Sequence, residues 1–177
     1  MRVIGGDARG RPLKPVPGSG TRPITDRVKE ALFNILGPRV PGCHFLDLFA
    51  GTGSVGIEAL SRGAAEVVFV EKARKAVRVL RDNLRLVGME RHAQVVHGDV
   101  FDFIAHTKRR FDIIYVAPPQ YRRLWSKTLL ALDTRPILSE EGIIVAQIFP
   151  KEFTSLPLQD HVLVDRRTYG STMLCFY

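Results

Sequence analysis

Short apolar runs alternate with stretches of helical periodicity over most of this chain. The apolar runs are HFLDLF (44–49), EVVFVE (66–71), AQVVHGD (93–99), FDIIYV (111–116) and GIIVAQIF (142–149). Helices are predicted over residues 54–61, over a stretch with Val77, Leu80, Leu84 and Val87 on one stripe, and over residues 124–132. Strands this apolar, separated by helices, predict a mostly parallel sheet covered on both faces, which is a doubly wound α/β fold.

The two ends of the chain follow other patterns. Residues 5–23 are rich in glycine, proline and arginine without apolar periodicity, which predicts an extended or hairpin-like arm rather than a packed layer. A helix is predicted from a cap at Thr25 or Asp26 to Gly37-Pro38. The last 17 residues read as two strands joined by a turn at Gly170-Ser171, an antiparallel pair at one edge of the sheet.

Composition and charge narrow the class of protein. With 177 residues and 45% apolar content, the chain can bury a core as one domain over residues 1–177, with a basic arm and helix in 1–39 and the α/β core in 43–177. The net charge of +8 favours a polyanionic partner, and residues 1–39 hold eight basic against three acidic side chains. No apolar run approaches the roughly 20 residues that cross a bilayer, so we expect a cytoplasmic protein with no membrane partner.

A glycine motif follows the first predicted strand. Gly51, Gly53 and Gly56 spell G-x-G-x-x-G before a helix, a pattern that fits a dinucleotide site, an S-adenosylmethionine site, or a turn that binds nothing. Asp47 lies at the end of the strand, where a carboxylate disfavours a pyrophosphate and suits a ligand with an ammonium group. The sequence therefore favours S-adenosylmethionine over a nicotinamide dinucleotide.

Two further acids end the next two predicted strands. Glu71 is placed to accept hydrogen bonds from ribose hydroxyls, and Asp99 from an adenine amino group while Val100 donates its backbone N–H. Either acid could instead cap a helix. Three acids at three successive strand ends, at the edge where open α/β sheets bind ligands, support a cofactor site.

Pro118 and Pro119 follow the fourth predicted strand, where they either simply end it or form part of a site. Together with the other blocks, this segment makes the sequence resemble the RsmD-like family of bacterial methyltransferases. The resemblance is carried by MRVIGGDARGRPL (1–13), RPITDRVKEALFNIL (22–36), LDLFAGTGSVGIEALSRGA (46–64) and RRTYGSTMLCFY (166–177).

The resemblance implies a Rossmann-like S-adenosylmethionine-dependent methyltransferase fold with a seven-stranded sheet. It implies methyl transfer to the exocyclic N2 of a guanine in 16S ribosomal RNA, within the small ribosomal subunit, by a monomer. The implied cofactor residues are Asp47, Phe49, Ala50, Gly51, Thr52, Gly53, Glu71, Lys72, Asp99 and Val100. The implied RNA-binding residues are Arg9, Arg11, Arg22, Thr25 and Arg27, and the catalytic segment is Ala117, Pro118, Pro119, Gln120 and Tyr121.

One position departs from the family pattern. The family usually has Asp-Pro-Pro followed by an aromatic residue, whereas this chain has Ala117-Pro118-Pro119-Gln120 and then Tyr121. Ala117 cannot accept a hydrogen bond through its side chain, so the Pro118 carbonyl and the Gln120 amide oxygen are expected to hold the target amino group, with Tyr121 stacking on the base. A degenerate ribosome-binding relative and a methyltransferase acting on another nucleic acid are the alternatives. The five histidines have no metal-ligand spacing, and no metal is expected.

Overall fold

A seven-stranded sheet forms the centre of the computed structural model, which describes residues 1–18, 23–120 and 122–177. The strands are β1 (His44–Leu48), β2 (Glu66–Glu71), β3 (Ala93–His97), β4 (Phe111–Val116), β5 (Leu138–Ile148), β6 (Asp165–Tyr169) and β7 (Thr172–Phe176). The helices are α1 (Asp26–Leu36), α2 (Ser54–Ser61), α3 (Arg74–Val87), α4 (Val100–His106) and α5 (Leu124–Thr134).

The strands lie in the order β3-β2-β1-β4-β5-β7-β6 across the sheet. The pairs from β3 to β5 are parallel, and β7 pairs antiparallel with both β5 and β6. The predicted Rossmann-like fold with an antiparallel C-terminal edge pair is therefore confirmed. In such a sheet the order reverses beside β1, which places the ligand crevice at the carboxyl ends of β1 and β4.

Three elements differ from the sequence-based expectation. Helix α4, which follows β3, was not predicted, because its seven residues, VFDFIAH, are too few to show a helical stripe. Strand β5 begins at Leu138 rather than Gly142, because Leu138 pairs with Phe111 across a register irregularity. Strand β6 begins at Asp165 rather than His161.

The sheet separates two apolar layers. Phe45 and Ile113 point into the layer formed with α1, α2, α3 and the N-terminal segment, and the alternate residues Leu46 and Ile114 point into the layer formed with α4 and α5. Because side chains alternate along a strand, Asp47, two residues after Phe45, faces the α1–α2–α3 layer. The predicted cofactor residue Asp47 is therefore on the same side of the sheet as α1, α2, α3 and the N-terminal segment.

The N-terminal segment is a packed hairpin. Arg2 and Pro12 form an antiparallel bridge, and Val3, Ala8 and Leu13 are buried in the core. The hairpin shape was predicted, but the expectation that the segment is no packed layer was wrong. Its apolar residues are widely spaced and show no period, and hydrogen bonds to α2 and α3, which the sequence does not reveal, hold the backbone in place.

A buried carboxylate joins this hairpin to two helices. Glu58 on α2 is fully buried and accepts hydrogen bonds from the backbone N–H groups of Ile4 (2.9 Å) and Gly5 (2.9 Å). Its oxygens also lie 3.3 Å from Lys29 Nζ on α1 and 2.8 Å from Arg62 Nε. Burial lowers the pKa of Lys29, and the neighbouring Glu58 charge opposes that shift.

Replacement of Glu58 tests this connection. Glu58→Gln removes the charge that compensates the buried Lys29 ammonium group, and we expect the free energy of unfolding to fall by about 3–5 kcal/mol. Urea denaturation of the wild type and the variant measures the difference. The matched control is Glu30→Gln on the exposed face of α1. A Glu58→Gln effect as small as the control's would contradict the role of this carboxylate.

Candidate active site

The carboxyl ends of β1 and β4 bring buried polar groups together. Asp47 and Tyr115 are partners in the parallel register of β1 and β4, and their side chains are 1% and 3% exposed. The Tyr115 hydroxyl donates a short hydrogen bond to Gln147 Oε1 near the end of β5. A line of polar side chains therefore crosses three neighbouring strands beneath this edge of the sheet.

The glycine loop turns sharply above Asp47. Phe49 and Gly51 both have left-handed backbone conformations, with φ of 62° and 56°, so the chain reverses direction as it leaves β1. A Cβ on Gly51 would meet no atom within 4 Å, whereas a Cβ on Gly56 would lie 2.2 Å from the Phe69 ring. Gly51 therefore leaves open space over the loop, and Gly56 lets α2 pack closely on β2.

Asp47 holds the glycine loop through a hydrogen bond to its backbone. Its Oδ2 accepts a hydrogen bond from Gly56 N at 3.0 Å, and no basic side chain in the described part of the chain forms an ion pair with it. Burial raises the pKa of Asp47 well above its usual value, the Gly56 N–H opposes the shift, and the Glu71 charge adds to it. A cation bound beside the loop would stabilise the ionised form.

The other two predicted acids are also at strand ends. Glu71 Oε2 accepts from Gly51 N at 2.7 Å and Oε1 from Ala73 N at 2.9 Å, so Glu71 ties the loop to the end of β2. Asp99 caps α4 through Oδ1, which accepts from Phe101 N and Asp102 N. Its Oδ2 lies 3.8 Å from the exposed Lys72 Nζ. Asp99 is therefore a helix cap that uses Oδ1, while its Oδ2 accepts no hydrogen bond from α4.

These residues fit S-adenosylmethionine better than a dinucleotide. Three carboxylates surround an open glycine loop, and the buried one, Asp47, has no basic partner among the residues that the structure describes. This arrangement suits an ammonium and a sulfonium group and repels a pyrophosphate. Glu71 and Asp99 retain acceptor capacity for ribose hydroxyls and an adenine amino group. Asp47, Gly51, Glu71 and Asp99 could hold this cofactor.

A groove of about 370 Å³ lies on the α1 side of the same edge. Its walls come from the start of α1, from the segment after β4, from the end of β5 and from the β6–β7 turn. The lining residues are Pro23, Thr25, Arg27, Val28, Gln120, Gln147, Tyr169, Gly170, Ser171 and Thr172. The volume lies within the range of about 300–1,000 Å³ typical of small-molecule sites.

The predicted catalytic segment borders this groove. Ala117, Pro118 and Pro119 are partly buried after β4, and the exposed Gln120 lines the groove. Tyr121 lies outside the described residues. The segment thus stands between the glycine loop, which begins at the end of the neighbouring β1, and the groove.

The predicted RNA-binding residues separate into two places. Thr25 caps α1, its Oγ1 accepting from Val28 N at 3.3 Å, and both Thr25 and Arg27 line the groove. Arg11 instead donates to Leu86 O at the far end of α3, and Arg9 is exposed on the same hairpin. Arg22 lies outside the described residues.

Several groove residues were missed by the sequence analysis. Gln147 and Thr172 are on strands that were predicted, and Tyr169 lies in the family-like C-terminal segment, but none stands in a motif with a known chemical role. The signal that could have found Gln147 is its position near the end of β5, beside the proline segment. The β6–β7 turn could be placed beside the groove only once the order of the strands in the sheet was known.

The described residues contain neither a metal-binding cluster nor a membrane-spanning helix. In residues 1–18, 23–120 and 122–177, no group of three or more His, Cys, Asp or Glu side chains could hold a metal ion. No helix in the same ranges is long and apolar enough to span a membrane.

The chain is similar over most of its length to one protein family, to two named methyltransferases and to a solved structure. The family model described as "Conserved hypothetical protein 95" matches residues 1–177. The Ribosomal RNA small subunit methyltransferase D of Escherichia coli K12 is 40% identical over 148 residues, which cover 83% of this chain and 74% of that protein. The protein of the same name from Haemophilus influenzae is 34% identical and covers 96% and 93%. The solved structure of a hypothetical protein from Thermus thermophilus is 38% identical, with a TM-score of 0.86 and coverage of 99% and 98%.

The electrostatics of Asp47 lead to a binding prediction. Because the pKa of Asp47 is raised and a bound cation favours its ionised form, the affinity for S-adenosylmethionine should increase from acid to neutral pH. Asp47→Asn can still accept from Gly56 N but loses the charge, so we expect affinity to fall about 10- to 100-fold and the pH dependence to flatten. Calorimetric titration measures both, with Asp102→Asn on the exposed face of α4 as the control. Unchanged affinity in Asp47→Asn would remove Asp47 from the site.

Proposed function

The chain belongs to the RsmD-like family described as "Conserved hypothetical protein 95", and on this premise we propose that it methylates the exocyclic N2 of a guanine in small-subunit ribosomal RNA. S-adenosylmethionine is the methyl donor. The relatives named Ribosomal RNA small subunit methyltransferase D support the RNA substrate, and the acidic residues around the glycine loop support the donor.

The proposal rests on the position of the groove next to the glycine-loop site. The proline segment after β4 separates an acidic, glycine-lined site from a groove that contains Gln120, Thr25 and Arg27. A base in the groove and a cofactor over the glycine loop would meet at Pro118. This is the arrangement that a direct methyl transfer between two bound molecules requires.

The roles of the segment follow from the chemistry of the amino group. Bound S-adenosylmethionine would supply an electrophilic methyl group, whose bond to the sulfonium sulfur breaks as the new C–N bond forms, so that S-adenosylhomocysteine leaves as a neutral thioether. The amino nitrogen of guanine is a weak nucleophile because its lone pair is delocalised into the ring. The Pro118 carbonyl and the Gln120 amide oxygen accept hydrogen bonds from its N–H groups and direct the lone pair towards the methyl carbon. After attack, the surplus proton leaves the nitrogen for water.

Ala117 removes the carboxylate that is usual in the family, and the proposal accommodates its loss. Alignment and hydrogen bonding of the amino group, rather than a strong base, supply most of the rate in this reaction. The neutral acceptors at Pro118 and Gln120 therefore suffice. The competing function is an RNA-binding relative that keeps the fold and has lost the chemistry at Ala117.

Methyl transfer to small ribosomal subunits tests the proposal. Subunits from cells that lack the gene are incubated with the protein and radiolabelled S-adenosylmethionine, and the labelled nucleoside is identified. We expect label in N2-methylguanosine, and a slower single-turnover rate in Gln120→Ala with unchanged cofactor affinity. Binding of subunits without incorporation of label would favour the RNA-binding relative, and unchanged rates in the variant would exclude Gln120 from the mechanism.

The charge at the groove gives a second prediction. Arg27 is exposed and lines the groove, so it is placed to contact a phosphate beside the target base. We expect subunit affinity to weaken steeply with salt, and Arg27→Ala to reduce the slope of log K against log salt by about one.

The control for this measurement is Arg110→Ala. Arg110 is exposed just before β4, so it lies at the amino ends of the parallel strands, whereas the groove lies at their carboxyl ends. Both variants are titrated with subunits at several salt concentrations. Equal slopes for the wild type and Arg27→Ala would contradict a phosphate contact at Arg27.

A further inference from the structure

Gln147 is the polar residue that joins the groove to the buried edge of the sheet. It pairs with Leu174 in the register of β5 and β7, and it lies two residues beyond Val145, on the face that also carries Tyr115. Its side chain is partly buried, and it lines the groove together with Gln120. No role is given to it by the motifs that identify the family.

The hydroxyl of Tyr115 contacts the oxygen end of the Gln147 amide. The O–H donates to Gln147 Oε1, and Tyr115 is 3% exposed, so the phenol has little freedom to turn to another partner. Burial and the nearby Asp47 charge raise the pKa of Tyr115, which keeps the phenol protonated and able to donate. In this orientation the amide oxygen is paired with Tyr115, and the N–H₂ group is at the other end of the amide.

The other end of the amide is then a hydrogen-bond donor. Gln147 Nε2 donates to no residue within the described ranges of the chain, although the amide borders the groove. An amide N–H₂ beside a groove is matched by an acceptor atom on the occupant. Gln120 on the same groove is placed to accept. The groove thus combines an acceptor with a fixed donor.

We propose that Gln147 is a base-reading residue, whose Nε2 donates a hydrogen bond to an acceptor on the edge of the target guanine and orients the base with its amino group towards Pro118 and Gln120. The inference rests on the proposed function for the identity of the base. Tyr115 is a positioning residue in this arrangement, since it acts only through Gln147.

The substitution Gln147→Glu tests the direction of the hydrogen bond, because an ionised carboxylate of nearly the same shape can only accept. At neutral pH and saturating S-adenosylmethionine, we expect methyl transfer to small subunits to fall by about tenfold or more. Activity relative to the wild type should recover as the pH is lowered, since the introduced carboxyl group can donate again once it is protonated. Affinity for S-adenosylmethionine should remain that of the wild type.

Two further variants separate positioning from packing. Tyr115→Phe removes only the hydroxyl and frees the amide to rotate, so it should lower activity less than Gln147→Glu and without recovery in acid. Gln159→Glu, an exposed change outside the groove, is the matched control. Wild-type activity in Gln147→Glu at neutral pH, or inactivity at every pH with cofactor binding intact, would overturn the proposal.

A binding measurement keeps this inference distinct from the proposed function. Guanosine 5′-monophosphate is titrated into the wild type and Gln147→Glu in the presence of S-adenosylhomocysteine and followed by NMR. If the wild type transfers no methyl group, the proposed function fails. Weaker nucleotide binding in Gln147→Glu that recovers in acid would still support base reading, whereas equal binding would overturn it.

Discussion

The buried carboxylate of Glu58 is the contact on which the arrangement of the site depends. It accepts from the backbone of the N-terminal hairpin at Ile4 and Gly5 and pairs with Lys29 on α1. Since Glu58 belongs to α2, whose first turn continues the glycine loop, a single side chain fixes the loop, the hairpin and α1 relative to one another. Asn83 on α3 adds a second connection, because its amide bonds the Lys14 backbone and donates to Thr52 O in the loop. The groove, which begins at the start of α1, is therefore held in place relative to the glycine loop.

The site itself divides into an acidic half at the glycine loop and a groove that contains no carboxylate among its lining residues. Asp47, Glu71 and Asp99 surround the glycine loop and suit a cationic ligand, whereas Gln120 and Gln147 offer uncharged hydrogen-bonding groups to the groove. This division bears on the loss of the family's usual carboxylate at Ala117. A neutral amide can hold an amino group without the cost of burying a further charge close to Asp47, whose pKa is already raised by burial.

The sequence predicted most of the fold, and it predicted that Asp47, Glu71 and Asp99 lie at or just after the ends of three successive strands. Strands β1, β2 and β4 and helices α1 and α2 were predicted within a residue or two, because apolar runs and caps are local signals. Helix α4 escaped because it is short, and the packing of the hairpin escaped because its partners lie more than fifty residues away in the sequence. The contact between Tyr115 and Gln147 joins residues 32 apart on neighbouring strands, so it could be found only after the register of the sheet was known.

Ala117 in place of the usual acid makes methylation of ribosomal RNA by this chain the decisive question. A map of modified nucleotides in small-subunit ribosomal RNA answers it when cells with the gene, without it, and with it restored are compared. We expect one N2-methylguanosine that disappears on deletion and returns with the restored wild-type gene. The same set of modified nucleotides in all three strains would contradict the proposed activity.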